Sequence, residues 1–413
     1  METIPPPNQL EFFLTMVLNY IVKAHVSYDK AFKTIIKRYN LPKWSLRIFY
    51  KIGYYTVNYY YTLRWLAAKN GYGVKPAGIV AYFSRIGFSI RRAQAIIREE
   101  TKQLSTSMRL SLIYSYPEFI VKDLLKHMPP REVEKILMKL NEKKRWLRIN
   151  LLKTSIEKAH NCLEQENILF KPIGYPEYML FVEHPKWEPI GRTKCVSEGL
   201  VVPQDIASAY VVEAIRPEKN LLDACSAPGL KLSLAYMLNN KLSSIAVDIS
   251  SKRIVVEQKL LDRLGVPTQH VLLVNSDSSN ISFNKVFNYA IVDAPCSGLG
   301  AVYSDPAVKI NTSKKSKLEH YHEVQYKILK NTLKYAEKVV YSTCSIHPME
   351  GEEVIKKIIE ENLAEPVKIN LPKLAAGYRG YSFSKKVYRT QPHIINGQGF
   401  FIAVLESKVV DKQ

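Results

Sequence analysis

Through the first third of the chain, apolar residues recur every three to four positions. This spacing predicts helices over "FLTMVLNYIVKAH", "SYDKAFKTIIKRY", "WSLRIFYKIGYYTVNYYYTLRWLAAKN", "IRRAQAIIREETKQL" and "REVEKILMKLNEKK", packed as a helical bundle over residues 1–145. Beyond 145 the period changes. "RINLLKTS", "ILFKPIGYPEYMLFVE" and "VSEGLVVPQD" mix short strand-like runs with Gly and Pro turns, which predicts a small α+β module over 146–205. Residues 206–413 alternate more regularly. "NLLDA" precedes a helix from about Lys231, "SSIAVD" a helix over 250–264, and "HVLLVN" and "NYAIVDA" follow. A helix over 317–337, the run "KVVYSTC" and a helix over 350–362 complete the series. Such alternation predicts an α/β domain with a doubly wound, mostly parallel sheet and helices on both faces. "GQGFFIAVLES" adds a late strand, expected antiparallel at the sheet edge.

Composition agrees with a folded chain: 46% hydrophobic and 23% charged residues are values of a soluble globular protein and exclude disorder. The charge changes the picture. A net +21, with fifteen Lys/Arg against five Asp/Glu in residues 1–100, points to a polyanionic partner, because neutralising phosphates releases counterions. A basic surface can also serve solubility alone. A membrane partner is not expected, since "FFLTMVLNYIV" is too short to span and contains Asn19. Eleven of the 26 tyrosines lie among those first hundred residues, and at helical spacing they fit a core better than a base-stacking platform. The cysteines, at 162, 195, 225, 296 and 344, have neither CxxC nor metal-ligand spacing. No metal is expected, and the thiols are expected to be reduced in a cytoplasmic monomer. The N-terminal "METIPPPNQLEFF" lacks the lysines of a secretory leader.

In open α/β sheets, ligands bind outside the carboxyl ends of the strands. The first strand of the series delivers "DACSAPGLK" (223–231), a tight turn opening a helix. The second ends on Asp248, the third is followed by Asp277, the fourth ends on Asp293 before "APCSGLG", and the fifth runs into Cys344. Singly, an aspartate there caps a helix and a cysteine fills a core. Together at one edge they indicate a site. The turn lacks the GxGxxG that brings a pyrophosphate to a helix N-terminus, yet Asp248 lies 25 residues beyond Asp223, where an acid accepts ribose hydroxyls. A nucleoside ligand without phosphates, S-adenosylmethionine, satisfies both.

"DACSAPGLK", "VDISSKR", "IVDAPCSGLG" and "YSTCSIHPMEGEE", in this order, resemble the RNA cytosine-5 methyltransferases of the RsmB/Nop2/NSUN group, whose patterns read approximately DxCAAPGGKT, DAPCSGxG and STCSxxPxENE. "RINLLKTS", "GLVVPQDIAS" and "GQGFFIAVL" extend the resemblance over about 148–406. The front helices, through "SYDKAF…LPKWSLRIFYKIGYYTVNYYYTLRWL", resemble the NusB-type RNA-binding domain of some members. The resemblance implies a Rossmann-like methyltransferase domain with RNA-binding segments ahead of it. It implies that Cys225, Ser226, Ala227, Pro228, Gly229, Leu230 and Lys231 surround the methionine and adenosine, with Asp248 on the ribose and Asp277 near the adenine. Arg253 and Asp293 complete that set. Three positions depart from the pattern: Leu230 replaces its second glycine, Leu232 its threonine and Gly351 its asparagine. Leu230 is expected to tighten the cofactor turn, because a side chain projects where the backbone is usually bare.

Chemistry explains a cysteine at a strand end. Carbon 5 of cytosine attacks a methyl sulfonium only after a nucleophile adds at carbon 6, and a thiolate suits that addition. Cys344 is the expected nucleophile, with Asp293 on the ring nitrogen and exocyclic amine and Lys231 supporting the base and lowering the thiol pKa. By resemblance, Cys296 assists release. The expected substrate is ribosomal or transfer RNA, with the target base unpaired or flipped out. One rival is a catalytically impaired ribosome-assembly factor that kept the fold. Another is a methyltransferase for DNA or an exocyclic amine, for which the two-cysteine pattern is the wrong signature.

Overall fold

The computed structural model describes residues 5–39 and 45–410, so the first residues of "METIPPPNQLEFF" and the "LPKW" of the NusB-type resemblance lie outside the described residues. Packing divides the chain into two compact units: 1–143 with 297–317, and 144–296 with 318–413. The 146–205 module therefore shares a unit with the sheet that follows it, and a later segment joins the front helices.

In the first unit, the helix Pro7–Ala24 buries Leu10, Phe13, Leu14, Val17, Leu18 and Ile21, a stripe repeating every three to four residues. The helices Tyr28–Tyr39, Ile90–Glu100 and Pro130–Leu140 follow the predicted spacing. The long run ending at Asn70 is instead two helices, Leu46–Asn58 and Tyr60–Lys69, meeting at Tyr59. Partners from elsewhere hold the break open. The Ser115 hydroxyl accepts from the N–H groups of Tyr61 and Thr62, and the Lys309 ammonium donates to the Asn58 carbonyl. Helices over Pro76–Arg85, Thr106–Tyr114 and Glu118–Leu125 add to the expected set. Of the front tyrosines, Tyr28, Tyr54, Tyr59, Tyr60 and Tyr82 are core residues.

Within this unit the 297–317 segment is tied by buried contacts. The Tyr303 carbonyl accepts from the Tyr54 hydroxyl, Asp305 accepts from the Tyr28 N–H, and fully buried Lys309 donates to Asn58 O, Tyr114 O and Asn141 Oδ1. The Lys309 ammonium also sits 4.1 Å from the Tyr116 ring centre. Burial pulls its pKa well below that of an ordinary lysine.

In the second unit, β1 (Trp146–Ile149), β2 (Leu169–Pro172), β3 (Met179–His184) and β4 (Val201–Pro203) form an antiparallel sheet in the order β2-β3-β1-β4. The larger sheet contains β5 (Asn220–Asp223), β6 (Ser243–Asp248), β7 (Val271–Asn275), β8 (Phe287–Asp293), β9 (Ala336–Thr343), β10 (Ala364–Val367), β11 (Leu374–Ala376), β12 (Tyr388–Thr390) and β13 (Phe401–Ser407). Its order is β11-β12-β13-β9-β8-β5-β6-β7, with β10 also on β13. The strands from β7 to β9 are parallel and β13 runs antiparallel to β9 as predicted, but it is not the edge strand, because β12 and β10 both pair with it beyond β9. Alternate residues feed two cores: Leu222, Val292 and Val339 face one, Leu221, Ile291 and Val340 the other. The second core continues into Leu147, Leu180 and Val201 of the small sheet, which is why module and sheet form one unit.

The expectation of five free thiols does not hold: Cys162 and Cys195 form a disulfide. They lie 33 residues apart, and the packing of the helices Ile156–Gln165 and Lys194–Ser197 brings their Cα atoms to 5.9 Å. Neither fact is visible as a spacing motif. No described helix is long and apolar enough to cross a membrane.

Candidate active site

The strand order reverses between β5 and β8, so connections leave in opposite directions and a crevice opens at their carboxyl ends. Every sequence-predicted site residue lies at this edge or on the elements leaving it. After β5 the chain turns through Ala224–Gly229, anchored by the Ser226 N–H on the Val247 carbonyl and the Gly229 N–H on the Ser226 carbonyl. Gly229 has φ +94°, and a Cβ there would meet Glu257 Cγ at 3.0 Å. Glycine is required on both counts. Leu230, by contrast, begins the helix Leu230–Leu238 and packs its side chain against the core, so the expected tightening of the turn has no basis in the packing. Leu232 is fully buried in the same core.

Asp223 is buried below the turn, and neither carboxyl oxygen has a hydrogen-bond partner of ordinary geometry. Burial, reinforced by Glu257, raises its pKa well above the carboxylate range. The Cys225 thiol is likewise pushed up, first by burial and then by Asp223, Asp293 and Asp248. At the end of β6, Asp248 accepts from the Ser250 N–H at 2.9 Å and pairs with Arg253 at 3.1 Å, while Arg253 also donates to the Ala227 carbonyl. Arg253 thus braces Asp248 against the turn. Asp277, just beyond β7, accepts from the Ser279 N–H, and its neighbour Ser278 donates to the Ala224 carbonyl. A nucleoside-shaped ligand fits this arrangement: a bare turn with an orphaned buried carboxyl beneath it, and a braced carboxylate one strand away.

On the other side of the crevice, Asp293 ends β8. One of its oxygens takes the Lys231 ammonium at 2.6 Å and the other the Ser342 hydroxyl at 2.7 Å. Lys231 also lies 5.3 Å from the centre of the Phe400 ring. Beyond Asp293, Cys296 sits with its sulfur 2.9 Å from that of Cys344, at the end of β9. Two thiols this close cannot both carry charge. The contact with Cys344, then burial, pushes the Cys296 thiol well up.

The loop carrying Cys344 is held from behind by residues the sequence did not single out. Buried Glu350 accepts from the Ser345 hydroxyl at 2.5 Å and from the Gln325 amide at 3.1 Å, and Gln325 also donates to the Pro295 carbonyl beside Cys296. One carboxylate thereby ties both cysteine loops. Arg389 donates twice to Glu352 and once, at 3.0 Å, to the Ser345 carbonyl. A Cβ on Gly351 would meet Phe401 Cγ at 2.7 Å and Arg389 Nη2 at 2.9 Å, which explains the missing asparagine. Ser342 and Glu257 were missed as well. Glu257, wholly buried on the helix Ser251–Leu264, accepts from the Ser226 hydroxyl at 2.8 Å, and burial pushes its pKa up to about 7.

Comparison with known proteins agrees with this geometry. The family described as 16S rRNA methyltransferase RsmB/F matches residues 210–406. The chain is 30% identical over 268 residues to a probable ribosomal RNA small subunit methyltransferase B of Coxiella burnetii, covering 62% of this chain and 60% of that protein. It is 30% identical over 296 residues to the 26S rRNA (cytosine-C(5))-methyltransferase nsun-5 of Caenorhabditis elegans, covering 63% and 67%. The crystal structure of PH0851 matches in fold, with a TM-score of 0.79 at 18% identity over 98% of this chain and 100% of that one. The chain therefore spans well under the full length of the Coxiella relative, but enough of the nematode protein, at sufficient identity, to fix its kinship: it belongs to the RsmB/Nop2/NSUN family of RNA cytosine-5 methyltransferases.

Proposed function

We propose that the chain transfers a methyl group from S-adenosylmethionine to carbon 5 of a cytosine in RNA. The observation that carries this reading is the pair of thiols 2.9 Å apart beside an aspartate that already holds a lysine. Cys344, as thiolate, adds to carbon 6 and forms a carbon–sulfur bond, while the ring electrons move toward the edge held by Asp293 and Lys231. S-adenosylmethionine, held by the turn 225–231 with Asp248 and Asp277, supplies an electrophilic methyl group. Carbon 5 takes that methyl group as its bond to the sulfonium breaks, leaving S-adenosylhomocysteine. A base or water in the crevice then takes the carbon-5 proton, the ring double bond is restored, and the carbon–sulfur bond breaks to release Cys344 as thiolate. Cys296, 2.9 Å from the departing sulfur, assists that release.

Ribosomal RNA is the favoured substrate class, from the names of the relatives, with transfer RNA the alternative. The impaired assembly-factor reading rested on Leu230, and the half-buried packing of Leu230 against the core weighs against it. Incubating the protein with methyl-labelled S-adenosylmethionine and RNA from cells lacking the gene tests the proposal, with bisulfite sequencing to locate the product. Label fixed on a cytosine is expected. Tight binding of RNA and cofactor without label would instead favour the assembly factor.

A further inference from the structure

The helical unit contains a cavity of about 1000 Å³ that the sheet-edge chemistry leaves unused. This is the upper end of the range for small-ligand pockets. Two helices face it with matched stripes. Leu46–Asn58 contributes Arg47, Lys51 and Tyr55, spaced four apart, and Ile90–Glu100 contributes Arg91, Gln94 and Arg98, spaced three and four apart. Each set therefore lies on one face of its helix. The four cations are exposed at the rim, while Tyr59 is buried and Tyr55 and Phe88 are half-buried. One carboxylate, Glu142, also reaches the lining, and it is paired with Lys139. Four exposed cations around one opening make it attractive to an anion. Aromatic rings within the same opening give the anion's attached group a stacking surface.

We propose that this cavity seats an unpaired segment of the RNA substrate, with phosphates on Arg47, Lys51, Arg91 and Arg98 and a base against Tyr55. The inference rests on the reading of the chain as an RNA-modifying enzyme and assigns the segment a place away from the sheet edge. A duplex keeps its bases stacked inside, so it offers such a cavity phosphates alone.

The test uses the full chain and a fluorescent single-stranded oligoribonucleotide, titrated across a salt series. Lys51→Ala combined with Arg91→Ala should weaken binding and make the log–log salt dependence shallower by about 1.4, from about 0.7 per lost single-strand phosphate contact. Tyr55→Ala should weaken binding about tenfold, the size of one lost stack, whereas Tyr55→Phe should bind as the parent does. Unchanged affinity and slope in the double variant would overturn the proposal. An equal loss with duplex RNA would overturn the unpaired-segment assignment. So would a nucleoside monophosphate that binds as tightly as the oligonucleotide, which would make the cavity a mononucleotide site. Lys33→Ala with Lys37→Ala, on exposed positions outside the cavity, separates the levels. If that pair flattens the slope and the cavity pair does not, the helical unit binds RNA elsewhere. If neither does, RNA binding by this unit fails altogether.

Discussion

Both units bury cations, and Arg389 in the α/β unit and Lys309 in the helical unit are accommodated differently. Arg389 in the α/β unit meets a carboxylate: it grips Glu352 through two hydrogen bonds, lies 3.8 Å from the Tyr378 ring centre and holds the Ser345 carbonyl next to Cys344. Lys309 in the helical unit has no carboxylate among its hydrogen-bond partners. It is caged by three oxygens of neutral groups and the Tyr116 ring. At Arg389 a fixed charge beside the Cys344 loop is matched by a fixed charge. At Lys309 a titratable cation among neutral oxygens packs a segment.

The largest expected effect separates these two cases. Arg389→Met leaves the Glu352 charge buried and unpaired and should cost about 3–5 kcal/mol in urea unfolding. Lys309→Met orphans neutral acceptors and should cost about 1–3 kcal/mol, because no buried charge is left unpaired. Equal losses, or the reverse order, would break the comparison. Methylation should fall further in the arginine variant than its stability loss explains, since the Cys344 loop loses an anchor.

A pH series sharpens it. The folded pKa of Glu257, about 7, lies above its unfolded value, so the folded state binds the extra proton between roughly pH 4.5 and 7. Its contribution to stability is complete below that window and is lost as pH rises through 7. Glu257→Gln mimics the protonated form. It should match the parent near pH 4 and exceed it by about 3–4 kcal/mol above pH 8, the equivalent of the shift. A constant difference across the series would show that folding does not shift the Glu257 pKa. The smallest effect is local to the cofactor: Asp248→Ala should weaken S-adenosylmethionine binding by about 1.5–3 kcal/mol, the value of one charged hydrogen bond, and leave RNA affinity unchanged. Calorimetric titration with each ligand checks both halves.

The sheet and its edge were legible because each strand is a short apolar run and each polar group stands where that run stops. Asp248, Asp293 and Cys344 could be placed at the sheet edge from position alone, while the roles proposed for them needed the chemistry and the family pattern. Ser342 could not be: within "VVYSTCS" it reads as an ordinary strand serine, and only the register of β9 against β8 brings it opposite Asp293. Glu257 and Glu350 read as surface and helix-start acids, since periodicity does not show which acid has been enclosed. Phe400 could be read as strand, but its position by Lys231 depends on β13 closing against β9. In the helical unit the break at Tyr59 depends on Ser115 and Lys309, which are distant in sequence. The Cys162–Cys195 pairing is non-local in the same way. Helix Thr106–Tyr114 was missed because its buried set includes Ser107 and Ser111, so its apolar stripe is weak.

The central claim is the division of labour between the two sulfurs, and trapping of the protein–RNA adduct tests it most directly. Cys296→Ala, incubated with RNA and S-adenosylmethionine, should accumulate a slowly migrating band on a denaturing gel, with the methyl group already on the base. Cys344→Ala should give neither band nor methylation. An adduct that persists in Cys344→Ala and is absent in Cys296→Ala would exchange the roles and contradict the account. Full activity in both variants would remove the thiols from the chemistry altogether.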